Sequence, residues 1–225
     1  MDKPIRVMVA EDFPLLREDF CDVVSSQQDM EVVGAAATGD EIVTLARSTP
    51  CDVILMDIEM ETVDAGIRAA EIISAIHPDI KIIFLTAHET DDMITSAMGT
   101  GAVDYVVKGC EDERLLEHIR RASQGRAELE PKIQNTVMQE YARLRRSERS
   151  LIFFINNVAH LTPAEHELVK LLLQDKKVAE IARLRCVEVV TVKTQIKGLL
   201  HKFGCSRTKE IVKMIRQMNL EHLFQ

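Results

Sequence analysis

The stretch VILMD at residues 53–57 is apolar up to its last position, where it ends on an aspartate. A short run of this kind, rich in Val and Ile, is typical of a strand buried on both faces of a parallel sheet. Four similar runs are IRVMVA (5–10), VVGAA (32–36), KIIFL (81–85) and VDYVV (103–107). Helical patterns follow the five runs, near residues 14–26, 39–48, 64–76, 90–99 and 111–124. The alternation predicts an α/β fold: a doubly wound, five-stranded parallel sheet with right-handed crossovers.

The rest of the chain follows a different pattern. Residues 125–157 are mainly polar, with apolar residues at helical spacing, and predict a linker helix that begins near Pro131, because proline is well tolerated in a first helical turn. Beyond it only helical periodicity remains, near residues 163–174, 178–184, 190–203 and 207–218. We therefore predict an α/β domain at 1–124, a largely helical linker at 125–157 and a smaller all-α domain at 158–225.

Charge and composition bound the function. Residues 1–124 hold 10 Lys and Arg against 25 Asp and Glu, whereas residues 125–225 hold 18 against 11, which favours a second domain that works near nucleic acid. The five cysteines lack C-x-x-C spacing and the histidines lack metal-ligand spacing, so we expect reduced thiols and no zinc. No apolar run approaches the ~20 residues of a membrane span and no signal peptide is evident, so we expect a cytoplasmic protein without a membrane partner.

Residues with chemically capable side chains stand at the ends of four predicted strands. They are Glu11 and Asp12 after the first strand, Asp57 at the end of the third, Thr86 after the fourth and Lys108 after the fifth. Because parallel sheets bind ligands beyond the carboxyl ends of their strands, we expect these side chains to share one crevice. Clustered carboxylates repel one another unless a cation joins them, and an all-oxygen ligand set favours Mg²⁺. A lysine and a hydroxyl beside them suit the oxygens of a phosphoryl group.

These strand ends, together with T-A at 86–87 and G-A-x-x-Y-x-x-K at 101–108, carry a resemblance to a known family. Residues 1–124 resemble the receiver domain of two-component response regulators, which has a flavodoxin-like fold. The resemblance implies that Asp57 accepts a phosphoryl group from a sensor histidine kinase. It implies these Mg²⁺ ligands: Glu11, Asp12, Asp57 and the backbone carbonyl of Glu59. It also implies that Thr86 and Lys108 contact the phosphoryl group and that Tyr105 moves in concert with Thr86.

The loop after the phosphoacceptor departs from the family at two places. Glu61 follows Met60 where the family usually has a proline. Ala65 lies eight residues after the aspartate, where the family usually has a glycine, and Gly66 comes one position later. Proline and glycine set backbone shape in such loops, so we expect the loop conformation to differ. Glu61 is also expected to add negative charge near a site that is already acidic.

The helix at 190–203 has two distinct faces. An apolar stripe recurs at helical spacing in Val192, Ile196, Leu199 and Phe203. The remaining face presents Lys193, Thr194, Lys197 and, further along, His201 and Lys202. Lysine attracts phosphate and can donate to guanine, so a basic face on the second helix of a helix-turn-helix suits entry into the DNA major groove.

Four strings carry a second resemblance: L-T-P-x-E at 161–165, E-I-A at 180–182, T-V-K-T at 191–194 and S-R-T at 206–208. They resemble the helix-turn-helix of the LuxR/NarL class, and the domain order is that of NarL/FixJ response regulators. The resemblance implies that Lys193, Thr194 and Lys197 face bases. It implies that Lys202 and Arg207 touch backbone phosphates of double-stranded DNA, and that the phosphorylated protein forms a homodimer.

The helical domain departs from its class more often than the receiver does. Asp175 replaces the usual turn glycine, and Lys177-Val178-Ala179 replaces the usual Ser-Asn-Lys. Glu188 replaces the usual N-cap Ser or Thr of the recognition helix, and Gln195 replaces the usual histidine. Gly198 also lies inside the recognition helix, at a cost of ~1 kcal/mol relative to alanine.

The sequence as a whole predicts a transcription regulator controlled by phosphorylation, whose purpose is not that of an enzyme. An alternative is a receiver-controlled regulator whose helical domain has lost specific DNA binding and acts through protein contacts. An enzyme that binds a nucleotide at the same strand ends is disfavoured, because no G-x-G-x-x-G follows the first strand.

Overall fold

The computed structural model describes residues 3–87 and 89–224, with Ser150 described through its backbone only. The chain divides into two compact units, Met1–Tyr141 and Ala142–Gln225. The division falls within the segment for which the sequence predicts a linker.

In the part of the first unit that the structure describes, five parallel strands form one sheet in the order β2-β1-β3-β4-β5. The strands are β1 (Ile5–Ala10), β2 (Met30–Ala36), β3 (Val53–Asp57), β4 (Lys81–Thr86) and β5 (Asp104–Val107). The helices that follow them are α1 (Pro14–Ser25), α2 (Gly39–Ser48), α3 (Ala65–Ile76), α4 (Asp91–Gly99) and α5 (Asp112–Ser123). The predicted doubly wound parallel sheet is confirmed.

The sheet has a separate apolar core on each face. Along β3, Ile54 and Met56 pack into one core with residues of α2, α3 and α4, whereas Val53 and Leu55 pack into the other with residues of α1 and α5. Successive side chains of a strand point to opposite faces, so a strand covered on both sides must be apolar throughout. This requirement explains why β3 shows no polar alternation before its last residue.

A 29-residue helix, α6 (Pro131–Ala159), follows the receiver-like sheet and begins at the predicted proline. In the first unit, Ile133 is 1% exposed and packs into the core beside α4. In the second unit, Phe154 is fully buried against Phe203, with ring centroids 5.6 Å apart. The helix thus supplies core residues to each unit, although its composition is mainly polar.

The second unit is helical throughout its described residues. After the end of α6 it contains α7 (Pro163–Leu173), α8 (Val178–Leu184), α9 (Val189–Phe203), α10 (Thr208–Gln217) and a short 3₁₀ turn at Glu221–Phe224. Its core includes Leu168, Ile181, Val192, Leu199 and Ile211, all buried. Among the residues that the structure describes, no helix combines the length and apolar composition needed to cross a membrane.

Candidate functional site

The strand ends of the first unit meet at one edge of the sheet. Asp57 is the last residue of β3, Thr86 is the last residue of β4, and Glu11 directly follows β1. Because β1, β3 and β4 are neighbours in the sheet, their carboxyl ends lie side by side. Lys108 follows β5, and its backbone N–H donates to the carbonyl of Thr86 at 2.7 Å. The parallel topology therefore brings together residues that are far apart in the chain.

Three carboxylates form the centre of this site. One oxygen each from Glu11, Asp12 and Asp57 lies within 4.8 Å of the other two. Glu11 and Asp57 are buried, while Asp12 is exposed, so the cluster has one deep side and one side open to solvent. An oxygen-only cluster with access to water matches the ligand chemistry of Mg²⁺, which usually keeps several of its waters. The residues present fit a magnesium ion.

Lys108 binds two members of the cluster at once. Its Nζ lies 2.6 Å from Oδ2 of Asp57 and 2.7 Å from Oε2 of Glu11. Burial raises the pKa of Asp57 to about 6; the lysine opposes this shift and the Glu11 charge adds to it. Burial works against the charge on Lys108, but its hydrogen bonds to Asp57 and Glu11 outweigh that effect and raise the pKa of the lysine. At neutral pH, Asp57 is therefore largely ionised and held against a charged ammonium group.

Thr86 and Tyr105 form a buried pair beside the carboxylates. Their side chains are hydrogen-bonded to each other, and the two residues are 2% and 1% exposed. Burial raises the pKa of the Tyr105 phenol, so the ring stays neutral at ordinary pH. The threonine and the aromatic ring are thus adjacent in the structure.

The unusual loop after Asp57 has a structural reason at both departures. The two carboxylate oxygens of Glu61 accept from the backbone N–H of Gly39 at 3.1 Å each, at the start of α2. A carboxylate is favourable there because a helix N-terminus carries partial positive charge. Glu61 lies outside the cluster that Glu11, Asp12 and Asp57 form among the described residues, and its carboxylate is used at a helix end.

Gly66 lies where the loop passes very close to the backbone of β3. A Cβ added to this residue would lie 1.8 Å from the carbonyl oxygen of Asp57, a separation that no side chain tolerates. Its backbone N–H also donates to the carbonyl of Ile58 at 3.0 Å. The glycine requirement is therefore met one residue later than in the family pattern, and the sequence alone did not reveal that the shift is sterically enforced.

The second unit places the predicted DNA-contacting residues on α9 and at the start of α10. Lys193, Thr194 and Lys197 are exposed, while Val192 and Leu199 are buried on the other side of the helix. Within the described part of the chain, neither Lys193 nor Lys197 has an ion-pair partner. Their two positive charges are therefore available to an anionic partner.

The two predicted phosphate contacts differ in their surroundings. Arg207 is exposed at the N-cap of α10. The Nζ of Lys202, in contrast, lies 2.7 Å from Oε2 of Glu165 in α7 and is only partly exposed. Lys202 thus has a partner within the protein, which sequence spacing could not indicate because α7 and the end of α9 are distant in the chain.

Several departures in the helical unit are compensated locally. Asp175 adopts a left-handed backbone (φ 57°), a conformation that usually calls for glycine but that aspartate tolerates, and it pairs with Arg216 at 3.2 Å. The backbone N–H of Lys177, at the N-cap of α8, donates to the carboxylate of Glu180 at 2.7 Å. Gln195 accepts from Arg185 at 2.8 Å and so connects α9 to the C-cap residue of α8. These positions, which depart from the class pattern, thus have partners within the helical unit.

Comparisons with known proteins agree with this architecture. Residues 7–120 match the family model described as the response regulator receiver domain. Two relatives from Bacillus subtilis (strain 168) are similar over nearly the whole chain. The transcriptional regulatory protein LiaR is 36% identical over 92% of this chain and 95% of its own length. The uncharacterized transcriptional regulatory protein YxjL is 34% identical over 94% and 95%.

Solved structures show the same fold. A two-component response regulator of the LuxR family from Aurantimonas sp. SI85-9A1 has a TM-score of 0.56 at 26% identity, over 62% of this chain and 99% of that one. The RcsB response regulator of Salmonella typhimurium has a TM-score of 0.54 at 18% identity, over 92% and 95%. The receiver match covers half of the chain, and LiaR and YxjL are similar across both units. This chain therefore belongs to the response regulators, in the LuxR/NarL class.

Proposed function

We propose that this protein is a transcription regulator that is switched by phosphorylation of Asp57 and that binds double-stranded DNA through α9. The observation that carries the proposal is the position of Lys108, whose ammonium group lies against Asp57 and Glu11 at the common edge of the strands. Such a charge beside an ionised aspartate can bind the oxygens of a phosphoryl group as it arrives. In this proposal residues 1–124 receive the signal, 125–157 link, and 158–225 bind DNA.

The acceptor step requires little rearrangement. One carboxylate oxygen of Asp57 forms a bond to phosphorus while the bond from phosphorus to the donor group breaks, as expected for transfer from a sensor histidine kinase. Mg²⁺ held by Glu11, Asp12, Asp57 and the carbonyl of Glu59 would supply charge neutralisation during the transfer. Lys108 would then exchange its contact with the Asp57 carboxylate for one with the phosphoryl oxygens, next to the hydroxyl of Thr86.

The buried Thr86–Tyr105 pair offers a route for the signal to leave the site. If Thr86 turns toward the phosphoryl group, Tyr105 loses its present hydrogen-bond partner and its packing must change. Tyr105 lies on β5, between α4 and α5, so this change would alter the surface formed by those elements. We propose that the altered surface promotes a homodimer, which would place two copies of α9 on two half-sites.

The test uses the full chain with acetyl phosphate as the phosphodonor. We expect Mg²⁺-dependent, acid-labile phosphorylation of the parent protein and none of Asp57→Asn. A shift assay on genomic fragments should then show tighter DNA binding by the phosphorylated parent. Labelling of Asp57→Asn would refute the acceptor assignment. Normal phosphorylation with no binding to any fragment at low salt would instead indicate that the helical unit acts through protein contacts.

A further inference from the structure

The recognition helix exposes an aliphatic side chain at its N-terminal end. Val190, the second residue of α9, is 61% exposed. It lies three, four and seven residues before Lys193, Thr194 and Lys197, and residues at this spacing occupy one face of a helix. The face proposed to read DNA therefore begins with an apolar residue.

The neighbouring threonine strengthens the apolar character of this position. The hydroxyl of Thr194 donates to the backbone carbonyl of Val190 at 3.0 Å, within the helix itself. Its one proton is thereby used, and Val190 has no polar side-chain atom. The part of the face formed by these two residues cannot donate a hydrogen bond to a base, while the lysines beside it can.

Duplex DNA offers one apolar partner in the major groove. Each base pair presents donors and acceptors there, and only thymine adds a methyl group. Residues near the N-terminus of a recognition helix are the ones that approach base edges in helix-turn-helix complexes. Lys193 and Lys197, which have no ion-pair partner among the residues that the structure describes, would hold this face against DNA. The occupant suggested by charge complementarity is therefore the duplex.

We propose that Val190 contacts the 5-methyl group of a thymine and thereby selects a T·A pair beside the bases read by the lysines. The inference rests on the proposed DNA-binding function and specifies which base feature the first turn of α9 recognises. Val190 is exposed and lies outside the core of the unit, so shortening it should leave the fold intact.

The experiment removes the two methyl-bearing partners separately. Binding sites are first selected from random duplexes by the phosphorylated full-length parent protein. In the selected site, each thymine is then replaced in turn by deoxyuridine, which lacks only the methyl group. Dissociation constants are measured by fluorescence anisotropy for the parent, for Val190→Ala and for Val189→Ala. The last is a matched control, because Val189 is 43% exposed but lies about 100° around the same helical turn.

We expect deoxyuridine at one position of each half-site to weaken binding of the parent about fourfold, the value for one buried methyl group. Val190→Ala should bind the unmodified site more weakly and should respond to that replacement far less than the parent does. Val189→Ala should respond as the parent does. The inference is overturned if no thymine position responds, or if Val190→Ala and the parent respond alike. Failure to select any site would instead count against the proposed DNA binding itself.

Discussion

The acidic crevice of the first unit and the basic face of α9 are both clusters of charge, yet they are built on opposite principles. In the crevice, Glu11 and Asp57 are buried and both are paired with Lys108. On α9, Lys193 and Lys197 are exposed and unpaired within the described residues. The charges of the crevice are paired within the protein, whereas those on α9 are solvated and remain available to a partner.

This difference predicts how each region responds to change. A buried, paired cluster couples its chemistry to folding, because desolvated charges alter the free energy of unfolding. An exposed, unpaired face affects binding and contributes little to stability. Mutations in the crevice should therefore change both stability and phosphorylation, whereas replacing Lys193 or Lys197 should change DNA binding with little effect on stability.

The largest expected effect on stability comes from replacing Gly66, which lies against the backbone of Asp57. Gly66→Ala would place a Cβ 1.8 Å from the carbonyl of Asp57, so we expect the free energy of unfolding to fall by about 3 kcal/mol or more, with loss of phosphorylation. Gly99→Ala is the control, since nothing lies within 4 Å of its added Cβ. Urea unfolding measures both variants, and equal stabilities would contradict the close approach at Gly66.

The ionisation of Asp57 should make the metal-free protein sensitive to pH. Its pKa is raised from 3.8 to about 6, so the folded state holds a proton that the unfolded state has lost. The contribution of Asp57 to stability therefore falls as pH rises from about 4 to above 6, by at most about 3 kcal/mol. The difference in unfolding free energy between Asp57→Asn and the parent, measured in EDTA, should grow in favour of the variant over this range. A constant difference would show that Asp57 is not destabilised by burial.

DNA binding should separate the two kinds of lysine in the helical unit. Lys197→Ala should cost ~1–3 kcal/mol on a selected site and relax its sequence preference. Lys202→Ala should weaken binding to all sequences about equally and should reduce the slope of log K against log[salt] by about one unit. Anisotropy titrations at several salt concentrations distinguish the two patterns. If both variants bind selected and random duplexes as the parent does, α9 does not read DNA.

The smallest effect concerns the glycine within α9. Gly198→Ala introduces a side chain into open space, so the helical unit should gain about 1 kcal/mol in stability. Thermal unfolding measures the gain, and an unchanged affinity for DNA would confirm that stability and binding are independent on this face. A loss of affinity would indicate instead that DNA approaches the backbone at Gly198.

Local sequence determined the elements because burial imposes a readable period. A strand covered on both faces must be apolar throughout, so the sequence alone indicated where β3 begins and ends. The residues Thr162-Pro163-Ala164-Glu165 are typical of a capping box, and they form one at the start of α7. Strand-end positions also sufficed to group Asp57 with Glu11 and Lys108, since a parallel sheet aligns its carboxyl ends.

Contacts between distant segments depended on the folded chain. Nothing near Glu61 in the sequence indicates that it would bind the start of α2, and nothing near Lys202 indicates Glu165. The need for glycine at position 66 arises only where the loop meets the carbonyl of Asp57. Periodicity indicates which side of an element is buried. The packing of elements that are far apart in the chain decides the remaining features: the partners of charged side chains, the close approach at Gly66 and the exposure of Val190.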